Sequence, residues 1–181
     1  EVYVVLPVTP FYAMSGGQAG DHGVISGATG KIVVDNTEKM PDGKYVHHGV
    51  VSGTVVAGET VTAQVDEAVR QATARNHTAT HLLHEALREV LGTHVEQKGS
   101  FVSPQVLRFD FSHFQKVTPE ELSKVEKLAN KKVRQAIARD ERRNVPIAEA
   151  QAMGAMALFG EKYGEEVRVI KYGDSVELCG G

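Results

Sequence analysis

Val69-Arg70-Gln71-Ala72, continuing through His77-Thr78-Ala79-Thr80-His81-Leu82-Leu83-His84-Glu85-Ala86-Leu87-Arg88-Glu89-Val90-Leu91 to Gly92, carries one helical pattern and separates two parts of different character. Val69, Ala72, Ala79, Leu82, Leu83, Ala86, Leu87, Val90 and Leu91 recur at helical spacing from Asp66 onward, and Gly92 stops them. Before this helix the chain alternates short β-rich runs with turn residues. Val2–Leu6, His22–Ser26, Lys31–Asp35, Tyr45–Val51 and Thr60–Val65 read as strands, parted by Gly16-Gly17, Gly27 to Gly30, Pro41-Asp42-Gly43 and Gly58. That rhythm predicts a small glycine-rich β-barrel or sandwich over residues 1–70.

After the helix, residues 71–181 read as an α+β domain. Phe101-Val102 and Val106–Phe111 flank a Ser103-Pro104-Gln105 turn. Thr118-Pro119-Glu120-Glu121 predicts a capping box with proline at the first helical position, and the helix it opens is expected to run to about Asp140. A short helix is expected at Ala148–Met153, then a hairpin of Val167–Tyr172 and Ser175–Leu178 over Gly173-Asp174 that delivers Cys179.

At 181 residues the chain can form one domain or two small ones. No apolar run approaches the roughly 20 residues needed to cross a membrane. No secretory leader stands at the start, and the chain opens inside a strand, as expected of a piece of something longer. One cysteine excludes an internal disulfide and suits a reducing, cytoplasmic compartment. The net charge of −3 argues against a nonspecific nucleic-acid coat. Residues 116–143 nevertheless hold 9 basic and 5 acidic side chains, either a solvated face or a phosphate-contacting patch.

The candidate chemistry begins with His77 and His81, one helical turn apart and about 6 Å between β-carbons. At roughly 100° per residue, His77, His81 and His84 lie within about 60° of one another, well away from the Leu83, Ala86, Leu87 and Val90 stripe. Two readings stay open: surface or satisfied structural histidines, and a metal site with Cys179 as a thiolate third ligand. His84 is eligible on the same geometry. Position 78 is Thr where a zinc protease needs its Glu base, which excludes that chemistry. Gly180-Gly181 is either a plain turn or room for the backbone to fold around a ligand. Ser15-Gly16-Gly17-Gln18 is either a barrel turn or a backbone that approaches a ligand closely. The absence of a phosphate-loop pattern disfavours nucleotide triphosphate binding. Gln97 is a neutral polar candidate, and Arg108 with Asp110 is either a surface pair or part of a site on the non-core face of its strand.

Arg75 to His84, Gly92-Thr93-His94, Gln97-Lys98-Gly99-Ser100, Arg108-Phe109-Asp110 and Glu177-Leu178-Cys179-Gly180-Gly181 strongly resemble the editing region of bacterial alanyl-tRNA synthetases. Thr9-Pro10-Phe11-Tyr12-Ala13 and Ser15-Gly16-Gly17-Gln18 resemble the glycine-rich motif of the same region. The resemblance implies a β-barrel followed by the α+β additional domain shared with threonyl-tRNA synthetases and freestanding alanyl-tRNA editing proteins. It implies hydrolysis of the ester joining serine or glycine to tRNA(Ala). It places zinc on His77, His81 and Cys179, with the family's fourth ligand, a histidine, at what would be position 183. It makes Gln97 the catalytic side chain and Ser15, Gly16, Gly17, Gln18, Thr80, Arg108 and Asp110 the substrate contacts. Met14 departs from the acidic residue usual at that place in the family. The implied partners are the aminoacylated acceptor end of tRNA(Ala) and the remainder of a synthetase chain, which would carry ATP-dependent activation. The alternatives are a non-catalytic, zinc-stapled RNA-binding module and a threonyl-type editing domain; the Ser-Gly-Gly-Gln and Cys-Gly-Gly motifs argue against the second alone.

Overall fold

A computed structural model describes residues 1–156 and 164–179. The chain divides into two compact units, Glu1–Arg75 with Val102–Val106, and Asn76–Phe101 with Leu107–Gly181.

The first unit is an antiparallel sheet built from β1 (Val2–Val5), β2 (Gly23–Ser26), β3 (Thr29–Lys39), β4 (Tyr45–Thr54) and β5 (Thr62–Val65) in the order β1-β4-β3-β2-β5. Alternation along β3 buries Ile32 and Val34, and a register shift between Val34 and Asn36 then rephases the strand so that Thr37 points inward. Phe11, Ile25, Ile32 and Val34 form the core, flanked by Val2, Val4, Leu6, Ala63 and Val65. Pro41-Asp42-Gly43 makes the β3–β4 turn, where Gly43 takes φ +86° and donates to Met40 O.

The expected closed barrel is not formed among the described residues. β1 pairs with β4 alone and β5 with β2 alone, which leaves the sheet open. Closure needs tilted, staggered edge strands long enough to pair with each other, and β1 and β5 hold four residues each.

α1 (Glu67–Leu91) starts where Asp66 Oδ1 accepts the Val69 N–H at 3.1 Å, an N-cap contact. It ends at Gly92, φ +116°. In the second unit one flank of α1 packs Ala86 and Leu87 against Val95, Val125, Phe109, Phe111 and Leu128. Those partners come from β6 (Gln97–Val102), β7 (Leu107–Phe111), α2 (Pro119–Arg134) and their connections. The other flank places Leu82 against Ile170, Tyr172 and Cys179. A single apolar stripe was legible, but the helix is covered from two sides.

α2 carries the expected Thr118–Glu121 capping box but stops at Arg134, six residues short of Asp140. Ala136 adopts φ +47°, Ile137 packs beside Leu82, and Arg139–Pro146 becomes β8. This edge strand lies in a sheet of order β10-β9-β8, with β9 at Glu166–Tyr172 and β10 at Ser175–Leu178. The run of Arg, Asp and Glu has little strand propensity, so its pairing with β9 overrides the local preference. Between β8 and β9, α3 covers Ile147–Ala152.

Candidate functional site

Helix α1 and strand β10 supply the chemistry of the second unit. Spacing of four residues stacks His77 on His81, ring centroids 5.1 Å apart and planes 11° from parallel. The β9–β10 hairpin returns the chain to this face, and its register is set by Leu178 opposite Val169 and by the Cys179 N–H donating to Arg168 O at 3.0 Å. Cys179 Sγ thereby comes to 3.3 Å from His77 Nε2. Donor atoms of His77, His81 and Cys179 all lie within 4.8 Å of one another.

Burial by itself would raise the Cys179 thiol, but the His77 and His81 imidazoles more than offset it and hold it at about 5. Burial likewise opposes charge on His81, yet the sulfur and the Glu177 carboxylate carry it up to about 9. The sulfur also receives the Arg168 guanidinium, Nη1 at 3.6 Å. A thiolate and two imidazoles, the donor classes that zinc favours, thus converge here and fit a metal ion.

Glu177 escaped the sequence reading as a site residue. It is 2% exposed, and its carboxylate lies 2.5 Å from His81 Nδ1 and 2.7 Å from His84 Nδ1. Burial would raise this acid, and the two histidines instead keep it at about 2. A signal was present: strand alternation puts Glu177 and Cys179 on one face, and a carboxylate between Val176 and Leu178 in a short strand needs a partner. His84 is absent from the group of converging donors. The His77–His81–Cys179 constellation comes together, whereas Gly180 and Gly181 lie outside the described residues.

The other expected residues are spread over both units. Gln97 opens β6 and is half-buried. Thr80 is buried with its hydroxyl donating to Asn76 O at 2.9 Å, which leaves its lone pairs. Arg108 and Asp110 pair on β7 at 3.1 Å and are exposed to solvent. In the first unit Ser15-Gly16-Gly17-Gln18 forms a tight two-residue turn, with Ser15 and Gln18 exchanging both backbone bonds and both glycines at positive φ, +54° and +79°. Gly17 O and the Ala19 N–H bond the Val102 backbone at 2.8 and 2.9 Å, so this motif has a clear structural duty. Met14 donates its N–H to Thr37 O and leaves its side chain 48% exposed.

The basic segment divides its charge. Lys132 is taken up by Glu85 at 2.7 Å, while Lys124, Lys127, Lys131 and Arg134 share an exposed face of α2. Glu141 on β8 gathers Arg139, Arg143 and Arg168 within 3.0 Å. No helix among the described residues is long and apolar enough to cross a membrane.

Residues 1–69 match the family described as tRNA synthetases class II (A). The whole chain is similar to curated proteins named alanine--tRNA ligase. That of Porphyromonas gingivalis is 59% identical over 178 residues, covering 98% of this chain. That of Parabacteroides distasonis is 58% identical over the same length, and that of Geobacillus thermodenitrificans 54% over 183 residues. The chain spans about a fifth of the length of these relatives, 20% of the first two and 21% of the third.

Proposed function

We propose that the chain is the editing module of an alanine--tRNA ligase, which hydrolyses the ester of seryl- or glycyl-tRNA(Ala), a reading supported by its 54–59% identity to curated alanine--tRNA ligases. What supports this reading most is the convergence of His77, His81 and Cys179 within 4.8 Å, away from any phosphate-loop pattern. The need is physical. A pocket for alanine rejects glycine by only about 1–3 kcal/mol for the missing methyl, and a small pocket excludes one added hydroxyl poorly. A second, hydrolytic site removes both errors.

In the reaction water adds to the acyl carbonyl, the bond from that carbon to the ribose oxygen breaks, and free amino acid and tRNA leave. His77, His81 and Cys179 would hold a zinc ion, which when bound would supply Lewis acidity toward the aminoacyl end. Gln97 offers a neutral donor and acceptor for the ester or the attacking water without adding a charge. The lone pairs of Thr80 Oγ1 can accept the hydroxyl of a misplaced serine. Arg108, Asp110, Ser15, Gly16, Gly17 and Gln18 are assigned to substrate contact on the resemblance, with Gln18 sharing the role of Gln97. Lys124, Lys127, Lys131 and Arg134 form a stripe suited to backbone phosphates of the acceptor stem. The two domains of the module are residues 1–70 and 71–181, it works in the cytoplasm, and the remainder of the ligase carries amino-acid activation.

The test is serine release from seryl-tRNA(Ala) by the zinc-loaded chain. Release well above the buffer rate is expected, and Gln97→Ala should slow it by about 100-fold with zinc content unchanged. Release at the buffer rate with metal bound would reject hydrolysis. Full activity in the Gln97 variant would remove that side chain from the chemistry.

A further inference from the structure

The Glu177 carboxylate has no place in the ligand set, yet it is buried beside it, 2% exposed. One oxygen faces His81 Nδ1 and the other faces His84 Nδ1, and all three side chains are under 10% exposed. As an ordinary buried ion pair this arrangement is poor design. Desolvation commonly cancels the attraction of such pairs, and apolar residues of similar volume often do as well. His84 Nε2 is moreover buried with no hydrogen-bond partner, a further cost. Function accounts better for a costly, fully enclosed carboxylate than stability does.

Resting on the metal reading above, we propose that Glu177 is a positioning residue: anchored through one oxygen by His84, it accepts the His81 Nδ1–H with the other and so commits Nε2 of His81 to the metal. A neutral imidazole carries one proton, and whichever nitrogen keeps it cannot ligate. With Nδ1–H engaged by Glu177, only Nε2 is available, on the side where Cys179 and His77 stand. Carboxylates play this part beside many metal-bound histidines. The backbone explains how such a device is built from few residues. The strand that delivers the sulfur delivers the carboxylate two residues earlier on the same face. The helix that delivers both imidazole ligands delivers the anchor three residues after the second. His84, although on the same flank as His77 and His81, serves the carboxylate and not the ion.

Zinc affinity, measured by competition with a chromogenic chelator, tests this in the chain and in Glu177→Gln. Glutamine replaces one of the two acceptor oxygens with an NH2 donor that opposes an Nδ1–H, so affinity should fall about 10- to 100-fold. His84→Asn should lower affinity less and leave one zinc bound per chain. If Glu177→Gln binds zinc within twofold of the parent while Cys179→Ala loses it, the positioning role is wrong and the metal site stands. If Cys179→Ala binds zinc as well as the parent does, the metal site falls and this role falls with it. Should Glu177→Gln fail to fold, nitrogen NMR of the unsubstituted chain decides the matter. Zinc should shift Nε2 of His81, leave its Nδ1 protonated, and leave His84 unshifted. Metal on His81 Nδ1, or a metal shift at His84, overturns the proposal.

Discussion

His47 in the first unit and His81 in the second are both buried, 0% and 7% exposed, and they do opposite things. His47 spends both ring nitrogens: Nδ1–H donates to Val4 O at 3.0 Å, and Nε2 accepts from the Thr9 hydroxyl at 2.7 Å. Burial pushes its imidazole below the ordinary histidine range, so it stays neutral. His81 spends one nitrogen on a carboxylate and turns toward a thiolate, and the pair raises it to about 9. Neutral partners close the first histidine. Anionic partners, a carboxylate and a thiolate, keep the second open. A buried histidine is therefore classified by the charge and valence of what it touches, since burial is common to both.

Removing the sulfur should break this contrast most severely. Cys179→Ala is expected to weaken zinc more than about 100-fold, beyond the range seen for outer partners, as read by chelator competition and metal analysis. Retention of one tightly bound zinc would show that His81 is as closed as His47. His47→Ala should act the other way, costing about 2–4 kcal/mol in urea unfolding through a cavity and unpaired Val4 and Thr9 groups. Its zinc affinity should stay within twofold, and a large loss would mean that His47 is more than structural. The smallest effect concerns the arginine cluster around Glu141, of which Arg168 also reaches the sulfur. Arg168 chiefly, with Arg143, keeps Glu141 at about 2 against an ordinary 4.5. A depressed carboxylate stabilises the fold fully above about pH 4.5 and loses that contribution as pH falls toward 2. Glu141→Gln should thus cost about 0.5–1 kcal/mol at pH 7, and the gap from the parent should shrink steadily in urea melts below pH 4.5.

Local patterns were readable wherever a residue's neighbours in the chain decide its state. Helical spacing and the Asp66 and Gly92 ends defined α1, and Thr118 with Glu121 announced the start of α2. Gly173-Asp174 marked the β9–β10 turn. Reading failed where a distant partner decides. Arg139 and Asp140 fall where a helix is expected to end, yet they open strand β8 because β9 offers them a ladder. Barrel closure depended on whether β1 and β5 find each other, which no window of sequence encodes. The candidate ligands were visible as a spaced pair and a lone cysteine. Their companion Glu177 was not, because its value lies in facing two histidines more than ninety residues away.

Composition and periodicity thus dictated the kinds of donor, two imidazoles on one helical turn and a single sulfur near the end of a hairpin. Long-range packing chose their relations: which flank of α1 the hairpin covers, that His84 meets a carboxylate, and that Arg168 stands opposite Cys179. Spacing along a helix is local geometry, the same in any protein, so it can be read from a string. Strand register between remote segments is settled by the summed burial and hydrogen bonding of the whole unit, and charge states inside it follow only once those distances exist.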